Sequence, residues 1–510
     1  MTNNRRTFLK SVSSLAVLGA FGSALRLPAP VAALPSGGAP HDLCFASARE
    51  LARLLRSGKL SAREVMAAFL QQIVRLNPKL NAIVAKLDDP QCLALADAAD
   101  HRRARREPLG PLHGLPFAVK DTEPVVGLPF THGSPIYRHD MPKADSVLVA
   151  RLRSAGALFI GKTNVPEFAL GSHTYNRVYG TTVNPYDLTK SAGGSSGGAA
   201  AALAAGMLPL ANGSDLGGSL RNPGNFNNVV GFRPSVGLIR NAPSAMPFGN
   251  LAVKGPLART VADVAYLTSV MAGADDGDPA CYPSDPALFT RPLERDLKKT
   301  RVAWCPDLGG LPLDPDVRAV LETQRATFEK LGCVVEEAHP DLAGADEAFL
   351  TLRAWRTWSA LGSLLESQRA EMKPEAVSEI EAGAKVTTTA LTEAMKTQAQ
   401  IMERMRVFQQ KYEFVLCAVN QVPPFDARLD WPKEIAGVRM DHYVAWMKSA
   451  YWITTTACPA ISVPAGFTAS GLPVGIQLVG RYRADFDLLR FAHMFEQVTN
   501  VGKRRPVIAG

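Results

Sequence analysis

The chain has 510 residues, of which 46% are hydrophobic and 20% charged, and it carries a formal net charge of +9. That composition belongs to a globular protein with a sizeable core, long enough for one large α/β domain or two or three ordinary ones. Beyond the N-terminus no apolar run is long and uninterrupted enough to span a bilayer, which speaks against a polytopic membrane protein.

In chain order, the first residues read as a targeting segment. Asn4-Arg5-Arg6-Thr7-Phe8-Leu9-Lys10 precedes a weakly apolar, acid-free stretch, Ser11 to Leu25, and small residues gather at Val31-Ala32-Ala33. This is the layout of a cleavable export signal over 1–33, and the paired arginines mark the twin-arginine type. The expected location of the mature chain, 34–510, is therefore periplasmic or secreted, without stable membrane association. Removing the signal lowers the formal charge to about +5, a small excess for so long a chain. The cluster Arg102-Arg103-Ala104-Arg105-Arg106 then reads as a solvated helix end or loop, and no nucleic-acid site is expected.

Ser47-Ala-Arg-Glu50 and Ser61-Ala-Arg-Glu64 each predict a capping box opening an amphipathic helix, the second running to about Leu76. Further helices are predicted over Cys92–Arg106, Asp145–Ala155, Ala199–Ala205, Thr260–Ala272, Asp316–Leu331 and Asp485–Val498. Strands are predicted at Leu115–Val119, Ala157–Ile160, Arg301–Cys305, Cys333–Glu336, Phe414–Ala418, Ile461–Val463 and Val474–Val479. The alternation predicts an α/β fold: a single large domain with a mixed twisted sheet covered by helices on both faces. Residues 341–412 are almost wholly helical in pattern and read as an insertion shaping the substrate entrance, while Gly273–Asp296 reads as a long linking loop. Seven cysteines, no two closer than 24 residues, exclude a zinc or redox spacing and read as buried thiols. The nine histidines show no clustered ligand spacing, so no metal is expected.

The most informative stretch is Gly193-Gly194-Ser195-Ser196-Gly197-Gly198, an alanine-rich helix, and then Gly213-Ser214-Asp215-Leu216-Gly217-Gly218-Ser219-Leu220-Arg221. It presents hydroxyls twice on glycine scaffolding, the first beside a helix N-terminus. A serine nucleophile needs a base, and no histidine lies in this core. A lysine can serve where burial lowers its pKa, and Lys120 follows the apolar run Pro116-Phe117-Ala118-Val119 at a strand end.

At these residues the chain resembles the amidase signature family. The resemblance spans Gly193–Gly224 and extends through Pro116–Asp121 and Gly471–Gln477. It implies a Ser–Ser–Lys triad with Ser219 as nucleophile, Ser195 as bridging serine after a cis peptide bond, and Lys120 as base. Backbone N–H groups of Leu216, Gly217, Gly218 and Ser219 would hold the oxyanion. Asp215 and Arg221 would hold that turn in shape, Ser196 would support the relay, and Ala169 would line the substrate channel. It further implies hydrolysis of a small-molecule amide C–N bond with no cofactor. Within the family, the alternative is an amidotransferase A-type subunit supplying ammonia to a partner. Oligomeric state stays open, a homodimer being one option.

Two motifs compete. Gly193-Gly194-Ser195-Ser196-Gly197 satisfies the G-x-S-x-G elbow of α/β-hydrolases, with His442 and His493 downstream. Gly156–Thr163 satisfies the phosphate-loop pattern, although its four intervening residues are apolar and Pro166 opposes the helix start. Lys162 is the rival base to Lys120.

Overall fold

A computed structural model describes residues 40–241, 249 and 251–509. The segment read as an export signal lies outside the described residues.

The N-terminal helices show how far local signals reach. The Ser61 capping box forms: the Ser61 side chain accepts from the Glu64 N–H, and the Glu64 carboxylate accepts from the Ser61 N–H. The helix it opens, Ala62–Leu80, outruns the expected end at Leu76, carries Pro78 in its last turn, and stops where Asn81 turns left-handed. The Ser47 box does not form. Asp263, from a helix distant in sequence, takes the free donors of helix Ala48–Ser57 instead: Ser47 Oγ at 2.9 Å and the Ala48 and Arg49 N–H groups at 3.1 Å. The third early helix, Asp89–Ala104, starts before the expected Cys92 because Asp88 and Gln91 make a capping box of their own.

Two sheets carry the site. The smaller contains β1 (Ile83–Val84), β2 (Pro116–Lys120) and β3 (Leu158–Thr163), with β3 in the middle, parallel to β2 and antiparallel to β1. The larger contains β4 (Ala211–Asp215), β5 (Val230–Arg233), β6 (Val253–Ala258), β7 (Arg301–Trp304), β8 (Val334–Glu337), β9 (Phe414–Ala418), β10 (Ala460–Phe467) and β11 (Pro473–Val479). Their order is β8-β7-β9-β11-β10-β5-β6-β4. The sheet is mixed: β7 pairs in parallel with β8 and β9, and every other neighbour is antiparallel. The expected strand before Lys120 forms, but in the smaller sheet. Short hairpin ladders over residues 175–191, and β4 to β6, carried too little periodicity to be read in advance.

Strand alternation separates the two faces of the large sheet. On β9, Val415 and Cys417 pack with Ile401, Met405 and Ile453, whereas Phe414 stacks on Phe491 of helix Asp485–Thr499 at 4.0 Å. On β11, Gln477 reaches Arg221 and the helix Lys448–Thr455. Within residues 345–411 the helix Ala345–Gln368 packs against both of the others, Pro374–Ala384 and Thr388–Lys411. The loop expected at 273–296 contains only the short turn Pro286–Thr290, and the chain on both sides of it belongs to one compact unit. Among the described residues no helix is long and apolar enough to cross a membrane.

Candidate active site

Lys120 ends β2 and is fully buried. Its backbone N–H donates to Asn212 Oδ1 at 3.1 Å, tying the small sheet to β4. Its Nζ lies 2.8 Å from Ser195 Oγ, 2.9 Å from Ser196 Oγ and 2.9 Å from Ser214 Oγ. Three neutral hydroxyls replace water around the amine, and among the described residues no carboxylate comes within hydrogen-bond reach of it. Burial therefore dominates over the more distant Asp215 and Glu123, and the pKa falls from 10.5 to about 7.

Small residues make this approach feasible. The helix Gly197–Ala204 is buried along its whole length, and a Cβ on Gly198 would lie 2.4 Å from the Asn164 nitrogen and 2.5 Å from the Ala82 carbonyl. A Cβ on Gly213 would lie 2.6 Å from Ser196 Oγ. The turn ahead of the helix contains a cis Gly194–Ser195 peptide bond. Its carbonyls are held from outside: Thr174 Oγ1 donates to the Gly193 carbonyl at 2.8 Å and Ser172 Oγ to the Gly194 carbonyl at 2.5 Å. The Ser196 N–H donates to the Ser219 carbonyl at 3.2 Å, joining the two glycine turns.

The second turn is built on Asp215. Arg221 grips its carboxylate through two donors at 2.9 and 3.0 Å, and Arg233 adds bonds of 2.7 Å to its carbonyl and 3.2 Å to its carboxylate. The two guanidinium groups hold the Asp215 carboxyl well below the usual carboxylate range against the cost of burial. Arg221 continues to Gln477 Oε1, the Ala450 carbonyl and Thr454 Oγ1, locking the turn to β11 and helix Lys448–Thr455. One expectation fails here. The Gly218 N–H donates to Asp215 Oδ1 at 2.9 Å, so this carboxylate has claimed it as a turn-forming donor. The N–H groups of Leu216, Gly217 and Ser219 have no partner among the described residues. These three residues line a cleft of about 550 Å³.

Ser195 and Ser219 both line that cleft, but Ser219 Oγ makes no hydrogen bond among the described residues, to Ser195 included. Ala169 lines it too, with a positive φ of 57° after Phe168 at 54°. Lys162 is equally buried but is turned elsewhere, donating to the Glu123 carbonyl and lying 3.6 Å from Asp121. Neither His442 nor His493 lines the cleft, and the residues before the Gly193 turn form the exposed-centred strand Asp187–Ser191 rather than a buried one. Leu158–Thr163 is β3, so the phosphate-loop pattern is a strand.

The family model described as Amidase matches residues 64–489. The chain belongs to the amidase family. An acylamidase of Rhodococcus erythropolis is 37% identical over 468 residues, covering 91% of this chain and 98% of that protein. In Synechococcus sp. (strain CC9605), the A subunit of glutamyl-tRNA(Gln) amidotransferase is 34% identical, over 89% of this chain and 96% of its own. Among solved structures, a bacterial aryl acylamidase of the amidase signature family superposes with a TM-score of 0.85 at 27% identity, over 91% of this chain and 99% of that one. The 6-aminohexanoate cyclic dimer hydrolase complexed with substrate gives 0.80 at 25%, over 92% and 100%. The protein is an amidohydrolase of this family with its mixed α/β fold.

Several residues of this amidase site escape sequence reasoning. Ser214 sits inside the glycine motif, yet only its place on β4 brings it to Lys120. Arg233 ends β5, and nothing in its neighbours marks it as a partner of Asp215. Ser172 and Asn222 brace each other at 2.8 Å behind the cis turn, again without a local signal.

Proposed function

We propose that this amidase cleaves a carboxylic amide through an acyl-enzyme on Ser219. The observation that carries the reading is the buried Lys120 amine, with a pKa near 7, 2.8 Å from Ser195 Oγ in the wall of the cleft that Ser219 enters. Neutral Lys120 takes the proton of Ser195 as Ser195 takes that of Ser219, and Ser219 Oγ bonds to the substrate carbonyl carbon. For this, Ser219 Oγ turns toward Ser195 about one side-chain torsion; such bonds tighten only around the reacting substrate. The carbonyl π electrons move onto oxygen, which the Leu216, Gly217 and Ser219 N–H groups receive. One such donor lowers a barrier by about 3–4 kcal/mol. Collapse breaks the C–N bond, and the relay returns the proton to the leaving amine. Water then attacks the Ser219 ester by the same path in reverse.

Export by the twin-arginine route belongs to the same reading, and it favours a small-molecule amide in the periplasm over a cytoplasmic ammonia-supplying role. The relatedness to the A subunits of glutamyl-tRNA amidotransferases makes that second reading worth testing. The test is hydrolysis of simple anilides and primary amides by the purified chain 34–510 alone. Release of amine or ammonia, lost in S219A, with a Ser219 acyl adduct on mass spectrometry, is the expected result. Turnover only with an added partner supports the second reading, and undiminished activity in S219A overturns the first. An N-terminal sequence beginning near residue 34 in the periplasmic fraction tests export, and full-length protein in the cytoplasm counts against it.

A further inference from the structure

Charges on the cleft wall are matched almost throughout. Lys254 Nζ pairs with Glu123 Oε2 at 2.9 Å, Asp215 is held by Arg221 and Arg233, and Arg353 is bound to Glu379 and Tyr443. Arg356, one turn after Arg353 on helix Ala345–Gln368, is the exception. Its guanidinium makes no hydrogen bond, ion pair or ring contact among the described residues. No Asp or Glu occurs in the sequence outside those residues, so no acidic side chain is left to complete the pair.

A half-buried arginine without an anion is costly, because burial disfavours its charge and a guanidinium does not deprotonate in proteins. The aromatic lining supplies no compensation. His132, Tyr137 and Phe168 form an aromatic run in the cleft wall, with ring centroids 5.5 and 6.3 Å apart. Burial lowers the His132 pKa to about 4, so that ring is neutral at ordinary pH. The cleft thus offers a nucleophile, an apolar wall and one uncompensated planar cation, and the fork of a guanidinium matches a carboxylate in two parallel hydrogen bonds.

We propose that the amide substrate carries a carboxylate away from the bond that is cut, and that Arg356 is the residue that receives it. The inference rests on the amidase reading above and narrows it to a substrate class: amides with an apolar or aromatic part and a free carboxylate. The carboxylate can belong to the acyl group or to the amine.

Two matched substrate pairs separate those sources on the mature chain. Butyranilide against succinanilate places the charge on the acyl side, and acetanilide against 3-acetamidobenzoate places it on the amine side. The expected result is that kcat/KM favours the charged member of one pair by about tenfold or more. R356Q should bring that ratio close to one, R356E should push it below one, and R356K should keep part of it. R356K also serves as the test should R356Q fail to fold. A wild-type enzyme that hydrolyses the neutral anilides but prefers neither charged partner overturns the inference and leaves the amidase reading standing, as does a ratio that R356Q and R356K leave unchanged. A wild-type enzyme that cleaves none of the four and takes no label from a fluorophosphonate probe at Ser219 overturns both.

Discussion

Burial separates Lys120 from Lys162 less than their partners do. Both are buried, but Lys120 meets three hydroxyls while Lys162 meets a carbonyl and the Asp121 carboxylate. With Lys120 as the base, activity needs its neutral form. Because burial lowers the pKa to about 7, kcat/KM should fall about tenfold per pH unit below that value and level off above it. A pH profile flat from 5 to 9 would remove Lys120 from the role. K120A should lose about 10²–10⁴-fold in kcat, with partial recovery at high pH where hydroxide replaces the base. K162A should instead act on stability, because it strands Asp121 as a buried charge, at a cost of about 3–5 kcal/mol by denaturant titration. A greater loss of kcat in folded K162A than in K120A would exchange their assignments.

Elements are held by contacts of unequal sequence range, and single substitutions discriminate between them. S61A removes a purely local cap and should cost about 1 kcal/mol. The helix Ala48–Ser57 should respond to D263A at least as strongly as to S47A, since Asp263 accepts from three groups at its N-terminus. Equal thermal melts for D263A and wild type would refute this. The helix Gly197–Ala204 lies against backbone, so G198A must move it. The expected penalty is about 1–3 kcal/mol, together with reduced kcat, because the helix carries Ser195 and Ser196 at its start.

Across the whole molecule, stability among the described residues comes from several hydrophobic clusters rather than from cross-links. All seven cysteines lie in the described residues and all are free, six of them buried. Reductant should therefore leave the melting temperature unchanged, and a fall of several degrees would reveal a bridge. Helix Ala345–Gln368 brings Arg353, Arg356 and Thr357 into the cleft that the glycine turns also line. The helical pattern of 341–412 was legible as an element. Which of its residues line the cleft beside Ser219 was not, because that depends on how the helices dock against elements distant in sequence.

The sequence by itself determined the chemical inventory: two serine-bearing glycine turns, a lysine at the end of an apolar strand, and helices with their own caps. These features act over a few residues, through dihedral freedom, hydrogen-bonding reach and periodicity, so they survive being read as a string. Tertiary structure decided which lysine stands among hydroxyls, that Asp215 takes a second arginine and the Gly218 N–H, and that Asp263 displaces the Ser47 cap. It also decided that Arg356 lines the cleft without a counter-ion among the described residues. Each is a matter of burial and neighbouring charge, summed over side chains that only the folded chain brings within a few ångströms of one another.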